Sequence, residues 1–348
     1  MGPASPRPNR RTLPVTRARL IAFALVATFL VSVAQAADIR FFQLGTGPTG
    51  ETRFPIGGLI ANALSNPPGS RECEKGGSCG VPGMVAVAKS TGGSIANVEA
   101  IGAKRLDAAL VQADIAYWAY HGSGIYKAKG AVQNLRGIAM LYPESMHLVA
   151  RKDAKIKNVR DLKGKRVSFG EKDSGSLVHG RMLLTAYGVV ENQVKLSFLK
   201  PGPAADAMAN GQLDAMLVVD AYPVPTVAEL AKTTAIDLVP ISGPEAEKIL
   251  SQMPFFQVGS IPAALYEGVH DANLTLDVGV ALVTGAEQPD ALIYDITKAL
   301  WQPSTQKLLA EANSRGRLIK LDAKAIARMG IQLHGGASSY YFDAGMTP

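Results

Sequence analysis

The chain has 348 residues, of which 47% are hydrophobic and 19% charged, so its composition is that of an ordinary globular protein. The formal net charge is +7, but residues 1–37 contain five arginines and no acidic residue, and removing those five charges leaves +2. The basic character therefore belongs mostly to the amino terminus and gives no argument for a nucleic-acid partner.

The amino terminus has the pattern of a secretory signal peptide. Arginines precede a short apolar run at residues 20–33, and Ala34-Gln35-Ala36 follows it. A basic segment, a short apolar run and an A-x-A site are typical of a cleaved signal. We expect cleavage near Ala36, removal of residues 1–37 and a periplasmic mature protein. A retained membrane anchor is the alternative for this segment.

Three predicted strand–loop–helix units carry glycine, serine and threonine where the strand ends. Their loops are residues 45–50, 90–94 and 171–176. The first amides of a helix lack internal partners and attract anions, and glycine lets a ligand approach the backbone. Ligands of open α/β sheets bind beyond the carboxyl ends of the strands, so we expect these loops to form one polar cleft. Simple capping of the helix by Ser90 or Ser94 is the alternative for the second of these loops.

The two cysteines, Cys73 and Cys79, lie in a loop at residues 66–82 that is rich in glycine, proline and charge. In an oxidising compartment two cysteines this close are expected to form a disulfide. No second ligand pair is nearby, so we expect no metal site.

The rest of the chain alternates between predicted strands and helices, which indicates an α/β fold with parallel strands. Predicted strands at residues 135–142 and 146–151 flank Pro143, and residues 255–262 look like a return crossing between two lobes. We predict that residues 38–142 and 255–348 form lobe 1 and that residues 143–254 form lobe 2.

Two acidic residues, Asp114 and Asp220, directly follow predicted strands and would suit a ligand's ammonium or amide. Hydrogen bonds to neighbouring loop amides are the alternative for both. Of the five histidines, His179 is the one expected nearest to the cleft, because it follows Ser174-Gly175-Ser176 in the first turn of a predicted helix, but a surface position is favoured for it.

Motifs for cofactor binding or catalysis are incomplete. The G-x-G-x-x-G at residues 45–50 contains Pro48, and the next predicted strand ends in Lys89 rather than in a ribose-binding acid. The G-x-S-x-G at residues 76–80 lies in the cysteine loop, without the strand and helix that position a nucleophile. We therefore expect no cofactor and no catalytic residue.

Several stretches are specific in combination: STGGS at residues 90–94, VQAD at 111–114, and LYPE followed by HLV at 141–149. Together with FFQLGTGPTG at residues 41–50 and PFFQVGSIPAALY at 254–266, they resemble the TAXI class of solute receptors of tripartite ATP-independent periplasmic (TRAP) transporters. The resemblance covers nearly all of residues 38–342.

The resemblance implies an α/β, two-lobed periplasmic binding protein fold of type II-like topology, with two crossings between lobes. It also implies that a monomer captures a small carboxylate, such as an amino acid or another organic acid, for a membrane permease driven by an ion gradient. The family's binding loops map onto the following candidates: Thr46, Gly47, Ser90, Thr91, Gly92, Gly93, Ser94, Gln112, Asp114, Ser174, Ser176, Asp220 and Tyr222.

Arg53 is a departure from the family pattern, which commonly has an aromatic pair before the proline at this point. It either adds a grip on a second ligand carboxylate or lies outside the cleft. Two other functions stay open: a secreted enzyme on a similar fold, and a binding protein of an ABC transporter or a sensor kinase.

Overall fold

The computed structural model describes residues 39–346, together with residues 1, 2, 4 and 5. The arginines and the apolar run of the predicted signal peptide lie outside these residues. None of the described helices has the length and apolar character needed to span a membrane.

Twelve strands were found in the described chain. They are β1 (Arg40–Gly45), β2 (Ser65–Asn66), β3 (Val81–Pro82), β4 (Met84–Lys89), β5 (Ala108–Gln112), β6 (Leu135–Arg151), β7 (Arg166–Ser168), β8 (Lys195–Ser197), β9 (Ala215–Asp220), β10 (Ile236–Leu238), β11 (Phe256–Ile261) and β12 (Asn273–Gly285).

The same residues contain eleven α-helices. They are α1 (Arg53–Leu64), α2 (Ser94–Gly102), α3 (Ala113–His121), α4 (Gly175–Ala186), α5 (Pro201–Ala209), α6 (Pro225–Thr233), α7 (Pro244–Gln252), α8 (Asp290–Trp301), α9 (Pro303–Ala312), α10 (Ala323–Ala327) and α11 (Gly335–Asp343).

Ten of the strands form one sheet in the order β4-β1-β5-β12-β6-β9-β7-β8, with β10 paired to β6 and β11 paired to β12. Strand β5, AALVQ, is buried along its whole length, as expected for a central strand covered by helices on both faces. The alternation of strands and helices confirms the α/β class, while the antiparallel pairs of β6 and β12 correct the expectation of parallel strands throughout.

Two groups of parallel strands define two lobes. Strands β1, β4 and β5 are parallel in the first lobe, and β7, β8 and β9 are parallel in the second. Strands β6 and β12 run antiparallel between the groups and link them. The predicted two-lobed fold with two crossings is therefore confirmed, while the residue limits of the lobes stay a prediction.

The prediction of two strands on either side of Pro143 was wrong, because β6 runs unbroken from Leu135 to Arg151. Pro143 pairs with Gly279, and the register of β6 against β12 shifts between Gly279 and Ala281. A register irregularity tolerates the missing proline N–H, so the strand passes through the proline instead of ending there.

The predicted disulfide between Cys73 and Cys79 is present. The loop that it closes is also held by the two-stranded sheet β2–β3 and by Gln302, whose Nε2 donates to the Cys79 carbonyl at 2.6 Å.

Candidate functional site

Loops at the carboxyl ends of the strands meet where the two lobes face each other. A Cβ placed on Gly93, which has a φ of +111°, would lie 3.6 Å from Cα of Ser174. A Cβ on Gly175 would lie 1.7 Å from Oε1 of Gln112. The loop before α2 and the loop before α4 are therefore packed against each other, and only glycine fits at Gly175 beside that amide.

Arg53 is 1% exposed and lies at this junction. Its Nη2 is 2.5 Å from Oε2 of Glu51, its Nε is 3.4 Å from Oε1 of Glu144, and its Nη1 donates to Ser94 Oγ at 2.9 Å. Arg53 is thus not outside the cleft, but its guanidinium is already engaged by two acids of the protein.

The position of Arg53 in the chain explains why it needs these acids. It is the first residue of α1, where the helix dipole disfavours a cation. Burial also lowers the pKa of Arg53, but Glu144 and Glu51 outweigh it, and the pKa ends above its usual value. The two carboxylates therefore keep the guanidinium charged.

Gln112 and Ser94 connect this ion pair to the loop before α2. Gln112 Nε2 donates to Glu144 Oε2 at 2.8 Å, and Ser94 Oγ donates to Gln112 Oε1 at 3.2 Å. The Ser94 hydroxyl also accepts from the backbone N–H of Gln112 at 3.1 Å. Two of the predicted site residues thus form one hydrogen-bonded network with Arg53.

Asp220 lies at the end of β9 and reaches the other lobe. Its Oδ2 accepts from the N–H of Thr52 at 2.7 Å, and its Oδ1 accepts from the N–H of Ala221 at 2.8 Å. Hydrogen bonding to loop amides, the alternative for this residue, is therefore what the structure contains. Burial, with the nearby Glu51, raises the pKa of Asp220 to about 7.

Glu144 lies on β6 beside Pro143 and is completely buried. Burial raises the pKa of Glu144 to about 8, with Arg53 lowering it and Asp220 raising it further. The junction of the lobes therefore contains two acids, Glu144 and Asp220, that gain or lose a proton near neutral pH.

Asp114 is paired with His179 rather than open to a ligand. His179 Nε2 lies 2.7 Å from Asp114 Oδ2, and both side chains are 0% exposed. The expectation that His179 lies at the surface was wrong. Its ring packs edge-on against Phe256, and it faces Asp114 from the opposite lobe.

The hydroxyl groups of the remaining predicted residues bind backbone atoms. Ser90 Oγ donates to the Gly47 carbonyl at 3.1 Å, and Thr91 Oγ1 donates to the Thr46 carbonyl at 3.2 Å. Thr46 itself is buried and donates to the Lys89 carbonyl at 2.7 Å. These side chains fix the two loops of the first lobe to each other.

Ser174 and Ser176 act in the same way in the second lobe. Ser174 Oγ caps α4 by accepting from the N–H of Leu177 at 3.2 Å, and Ser176 Oγ accepts from the N–H of Val219 at 3.2 Å. Ser174 thus caps α4, whereas α2 begins after Gly93 without a side-chain cap, so the alternative that Ser90 or Ser94 caps that helix was wrong.

Tyr222 lies just beyond Asp220, and the guanidinium of Arg315 stacks 4.3 Å from the centre of its ring. Sequence reasoning missed Arg315, as it missed Glu51, Tyr142 and Glu144. Tyr142 and Glu144 belong to the LYPE stretch, which carried the family resemblance, but neither residue was assigned a role from the sequence. Nothing in the local pattern around Arg315 or Glu51 marked them.

A small cavity of about 10 Å³ lies between the lobes, lined by side chains that include Pro48, Glu51, Glu171, Ser174 and Ser176. A space of this size holds roughly one water molecule. The lobes are therefore closely apposed in this arrangement. The described residues contain no group of three or more His, Cys, Asp or Glu side chains placed to hold a metal ion.

Solved structures that resemble this chain include two that are named as binding proteins. The alkanesulfonate-binding protein SsuA from Xanthomonas axonopodis pv. citri, bound to MOPS, is 14% identical, with 90% of this chain and 96% of that chain covered and a TM-score of 0.44. PhnD1 from Prochlorococcus marinus, in complex with methylphosphonate, is 12% identical, with 88% and 99% covered and a TM-score of 0.49.

A third similar structure is AbpA from Streptococcus pneumoniae, an amino acid ABC transporter substrate-binding protein bound to L-arginine. It is 15% identical, with 83% of this chain and 95% of that chain covered and a TM-score of 0.45. At such identities the likeness concerns the fold alone.

The sequence itself matches a family across most of its length. The model of the NMT1-like family matches residues 44–345, which include every loop of the junction and all of the parallel strands except the first four residues of β1. The chain therefore belongs to the NMT1-like family.

Proposed function

We propose that the chain is a periplasmic solute-binding protein of a membrane transporter. It captures a small carboxylate, such as an amino acid or another organic acid, between its lobes and delivers it to a permease. The observation that carries this proposal is the meeting of the loops before α2 and α4, which come from different lobes and follow the carboxyl ends of strands. Open α/β sheets bind their ligands at that position.

The binding energy would come from the same loops and from the network behind them. Backbone amides at the starts of α2 and α4 suit a carboxylate, and Arg53 holds Ser94 in place behind them by donating to its hydroxyl. Three or four charge-assisted hydrogen bonds at ~1.5–3 kcal/mol each give roughly 5–10 kcal/mol before ordering costs. Such a total is compatible with about micromolar affinity.

The ligand would act by favouring the arrangement in which the lobes touch. Thr52 and Asp220 already join the lobes by a hydrogen bond, and the Asp114–His179 contact is a second link. A ligand that contacts both lobes binds this arrangement better than an open one and shifts the population towards it.

The permease has two candidate classes. The sequence resemblance to TAXI receptors implies a TRAP-type permease. The similar structures include an amino acid ABC transporter substrate-binding protein, so an ABC-type partner fits the comparisons better. Uptake by the reconstituted transporter separates them: an ABC-type system requires ATP hydrolysis, whereas a TRAP-type system requires an ion gradient.

A secreted enzyme is a weaker candidate. The buried pair Asp114–His179 is the arrangement that most resembles an acid–base couple, but His179 Nδ1 has no hydrogen-bond partner among the described residues. In that part of the chain, no serine, threonine or cysteine side chain forms the hydrogen bond to His179 that would activate it as a nucleophile.

Thermal unfolding of the mature protein with a panel of small acids and amino acids tests the proposal. A ligand at 100 times its dissociation constant adds about 2.7 kcal/mol to the free energy of unfolding. Ser94→Ala removes the hydroxyl that accepts from Arg53, so we expect it to weaken the response. Ser339→Ala, on the exposed face of α11, is the matched control and keeps it.

Two results would contradict the proposal. If no member of the panel raises the unfolding temperature, the protein does not bind this class of ligand. If Ser94→Ala responds as strongly as the unmodified protein, the ligand binds elsewhere.

A further inference from the structure

A groove of about 440 Å³ lies between α3 of the first lobe and α4 and α7 of the second. Trp118, in its first-lobe wall, follows Asp114 by one turn of α3. Val178, in a second-lobe wall, adjoins His179 on α4, so the groove lies beside the Asp114–His179 contact. Its volume is within the roughly 300–1,000 Å³ that is typical of pockets for small ligands. None of its lining residues lines the small cavity between the strand ends, so the groove is a separate space.

Helical spacing explains why the second-lobe walls are apolar. Val178, Met182 and Ala186 recur every four residues on α4, and Ile249 and Met253 are four positions apart at the end of α7. Residues four apart lie on one face of a helix, so each helix presents an apolar stripe to the groove. Methionine side chains adapt to partners of irregular shape, so these stripes suit a flexible alkyl chain.

The wall from the first lobe is formed by Trp118 and Ile125. The indole of Trp118 packs edge-on against Phe255, with the ring centres 5.5 Å apart, and a Cβ on Gly124 would lie 2.6 Å from the indole. These neighbours hold the indole in place. Ile125 is 37% exposed, so part of this wall is apolar surface in contact with water. Each methylene that a ligand buries against such surface tightens its binding about fourfold.

The charged side chains that line the groove are both cations, Arg181 and Lys248, and none of the described aspartates or glutamates lines it. Arg181 is already paired, because its Nε lies 2.9 Å from Oε2 of Glu191. Lys248 is exposed and has no ion pair in residues 39–346. The groove thus combines apolar walls with one unpaired ammonium at its edge, which complements an amphiphile whose charged end is an anion.

We propose that this groove binds a free fatty acid of medium chain length, with the alkyl chain between the helices and the carboxylate at Lys248. The ammonium favours an acid over an alcohol or an amine of the same length. The apolar stripes favour a longer chain over a shorter one. This second site does not depend on the proposed function, because its residues take no part in the junction where the small carboxylate would bind.

Tryptophan fluorescence tests the proposal on the unmodified protein, because Trp118 is one of two tryptophans in the chain. The titrants are butanoate, hexanoate and octanoate, with 1-octanol and octylammonium as analogues without the negative charge, all below the concentration at which they form micelles. We expect octanoate to change the emission and to bind about sixteenfold more tightly than hexanoate, which is two methylenes shorter. It should bind about two- to fivefold more tightly than 1-octanol, and octylammonium should bind more weakly than either.

The indole that reports binding is identified by Trp118→Phe. This variant should lose the change in emission, because the remaining tryptophan, Trp301, is 8% exposed on α8 and does not line the groove. Titration calorimetry should still detect octanoate binding to it. A change in emission that survives in Trp118→Phe would place the acid near Trp301 and overturn the proposal.

Two further variants test the charge and the apolar wall separately. Lys248→Gln should weaken octanoate about two- to fivefold and leave 1-octanol unchanged. Ile125→Asp puts a carboxylate in the apolar wall and should weaken octanoate at least tenfold. The matched controls are Lys232→Gln, at an exposed lysine that pairs with Glu229 on α6, and Val258→Asp, at a position 70% exposed on β11. Both controls should bind octanoate normally.

The proposal is wrong if octanoate binds no more tightly than butanoate or octylammonium, or if Ile125→Asp binds octanoate unchanged. Phosphatidylglycerol vesicles that bind the protein while octanoate does not would show that a lipid surface covers the groove, and would also overturn it. Should a variant fail to fold, the series of titrants on the unmodified protein still decides. Failure of octanoate to bind leaves the site for small carboxylates untouched, since that site is tested by Ser94→Ala.

Discussion

Asp114 and His179 are 65 positions apart in the sequence, yet their side chains touch at 2.7 Å and exclude water completely. Asp114 follows β5 in the first lobe, and His179 lies in α4 of the second. A charge-assisted hydrogen bond in a dry interface between two lobes favours the arrangement in which they touch.

His179→Ala is therefore expected to weaken ligand binding without touching the ligand. A hydrogen bond to a charged group contributes about 1.5–3 kcal/mol, and losing it from the closed arrangement corresponds to roughly a tenfold to hundredfold weaker apparent affinity. Titration calorimetry measures the affinity, and small-angle X-ray scattering measures whether the ligand-free protein expands. His270→Ala, at an exposed position, is the control. Unchanged affinity in His179→Ala would show that the contact has no part in closure.

Gly175→Ala is expected to keep the lobes apart. The added methyl would overlap Oε1 of Gln112, and that amide is held by Ser94 and Glu144, so moving it costs both hydrogen bonds. Ligand affinity, measured by calorimetry, should fall at least tenfold. A tenfold loss corresponds to about 1.4 kcal/mol, which losing the two hydrogen bonds of the amide would exceed.

The chain offers a control and a rescue for that variant. Gly202 also lies in the first turn of a second-lobe helix, α5, but a Cβ there meets no atom within 4 Å, so Gly202→Ala should bind normally. The double variant Gly175→Ala with Gln112→Ala frees the space and should recover part of the affinity. A Gly175→Ala protein that binds normally would argue against contact between these loops in the bound state.

Arg53→Met is expected to destabilise the fold strongly. It leaves the carboxylates of Glu51 and Glu144 buried without their cation, and breaking a buried ion pair in this way typically costs about 3–5 kcal/mol. Urea unfolding measures the loss. At pH 9, above the pKa of Glu144, adding Glu144→Gln removes one of the two stranded charges, so the double variant should be more stable there than Arg53→Met alone. Equal stability of the two would mean that Glu144 is not the partner of Arg53.

The buried acids predict that stability falls as the pH rises. The pKa of Glu144 is raised to about 8 and that of Asp220 to about 7, against ordinary values of 4.5 and 3.8. Between these limits the folded state holds protons that the unfolded chain has released, so the free energy of unfolding decreases with increasing pH.

One buried histidine opposes this trend at lower pH. Burial lowers the pKa of His147 from 6.5 to about 4, so its contribution to stability is lost as the pH falls through that range. The acids are therefore best observed between pH 6.5 and pH 8, above the range of His147. In urea unfolding, Glu144→Gln should lose less stability over that interval than the unmodified protein, whereas Glu229→Gln should follow it. An identical slope in Glu144→Gln would contradict the assignment.

The disulfide should stabilise the fold modestly. Cys73 and Cys79 are six positions apart, and closing so short a loop contributes roughly 2 kcal/mol in the chain-entropy model. Thermal unfolding of a Cys73→Ser, Cys79→Ser protein measures this contribution, and ligand affinity should be unchanged because the loop contacts α8 and Gln302 rather than the junction. Loss of ligand binding in this protein would overturn that separation.

Local patterns sufficed to predict the strand–loop–helix units, because glycine, serine and threonine after an apolar strand favour a loop that leads into a helix. The same patterns placed Ser94, Gln112 and Asp220 near one another through the rule that strand ends share an edge of the sheet. They did not show which side chain meets which: His179 appeared to be a surface residue because its partner, Asp114, lies in another lobe. Pairings between distant segments depend on the assembled sheet.

Glu144 was missed for a related reason. Its neighbour Pro143 indicated a break between two strands, so Glu144 was assigned to the connection between them and was given no role. Because β6 continues through the proline, Glu144 instead points into the buried junction, where Arg53 meets it.

The continuity of β6 and its pairing with β12 also limit how the molecule can move. No flexible linker separates the lobes at this point: β6 is paired with β12 as far as Ser145 and with β9 from Ser145 onward. The ladder is weakest where Pro143 faces Gly279, since the proline donates no hydrogen bond and the register shifts beside it. The lobes should therefore open by a twist of the sheet about a hinge at Pro143 and Gly279, and not by the movement of two rigid lobes on a flexible linker.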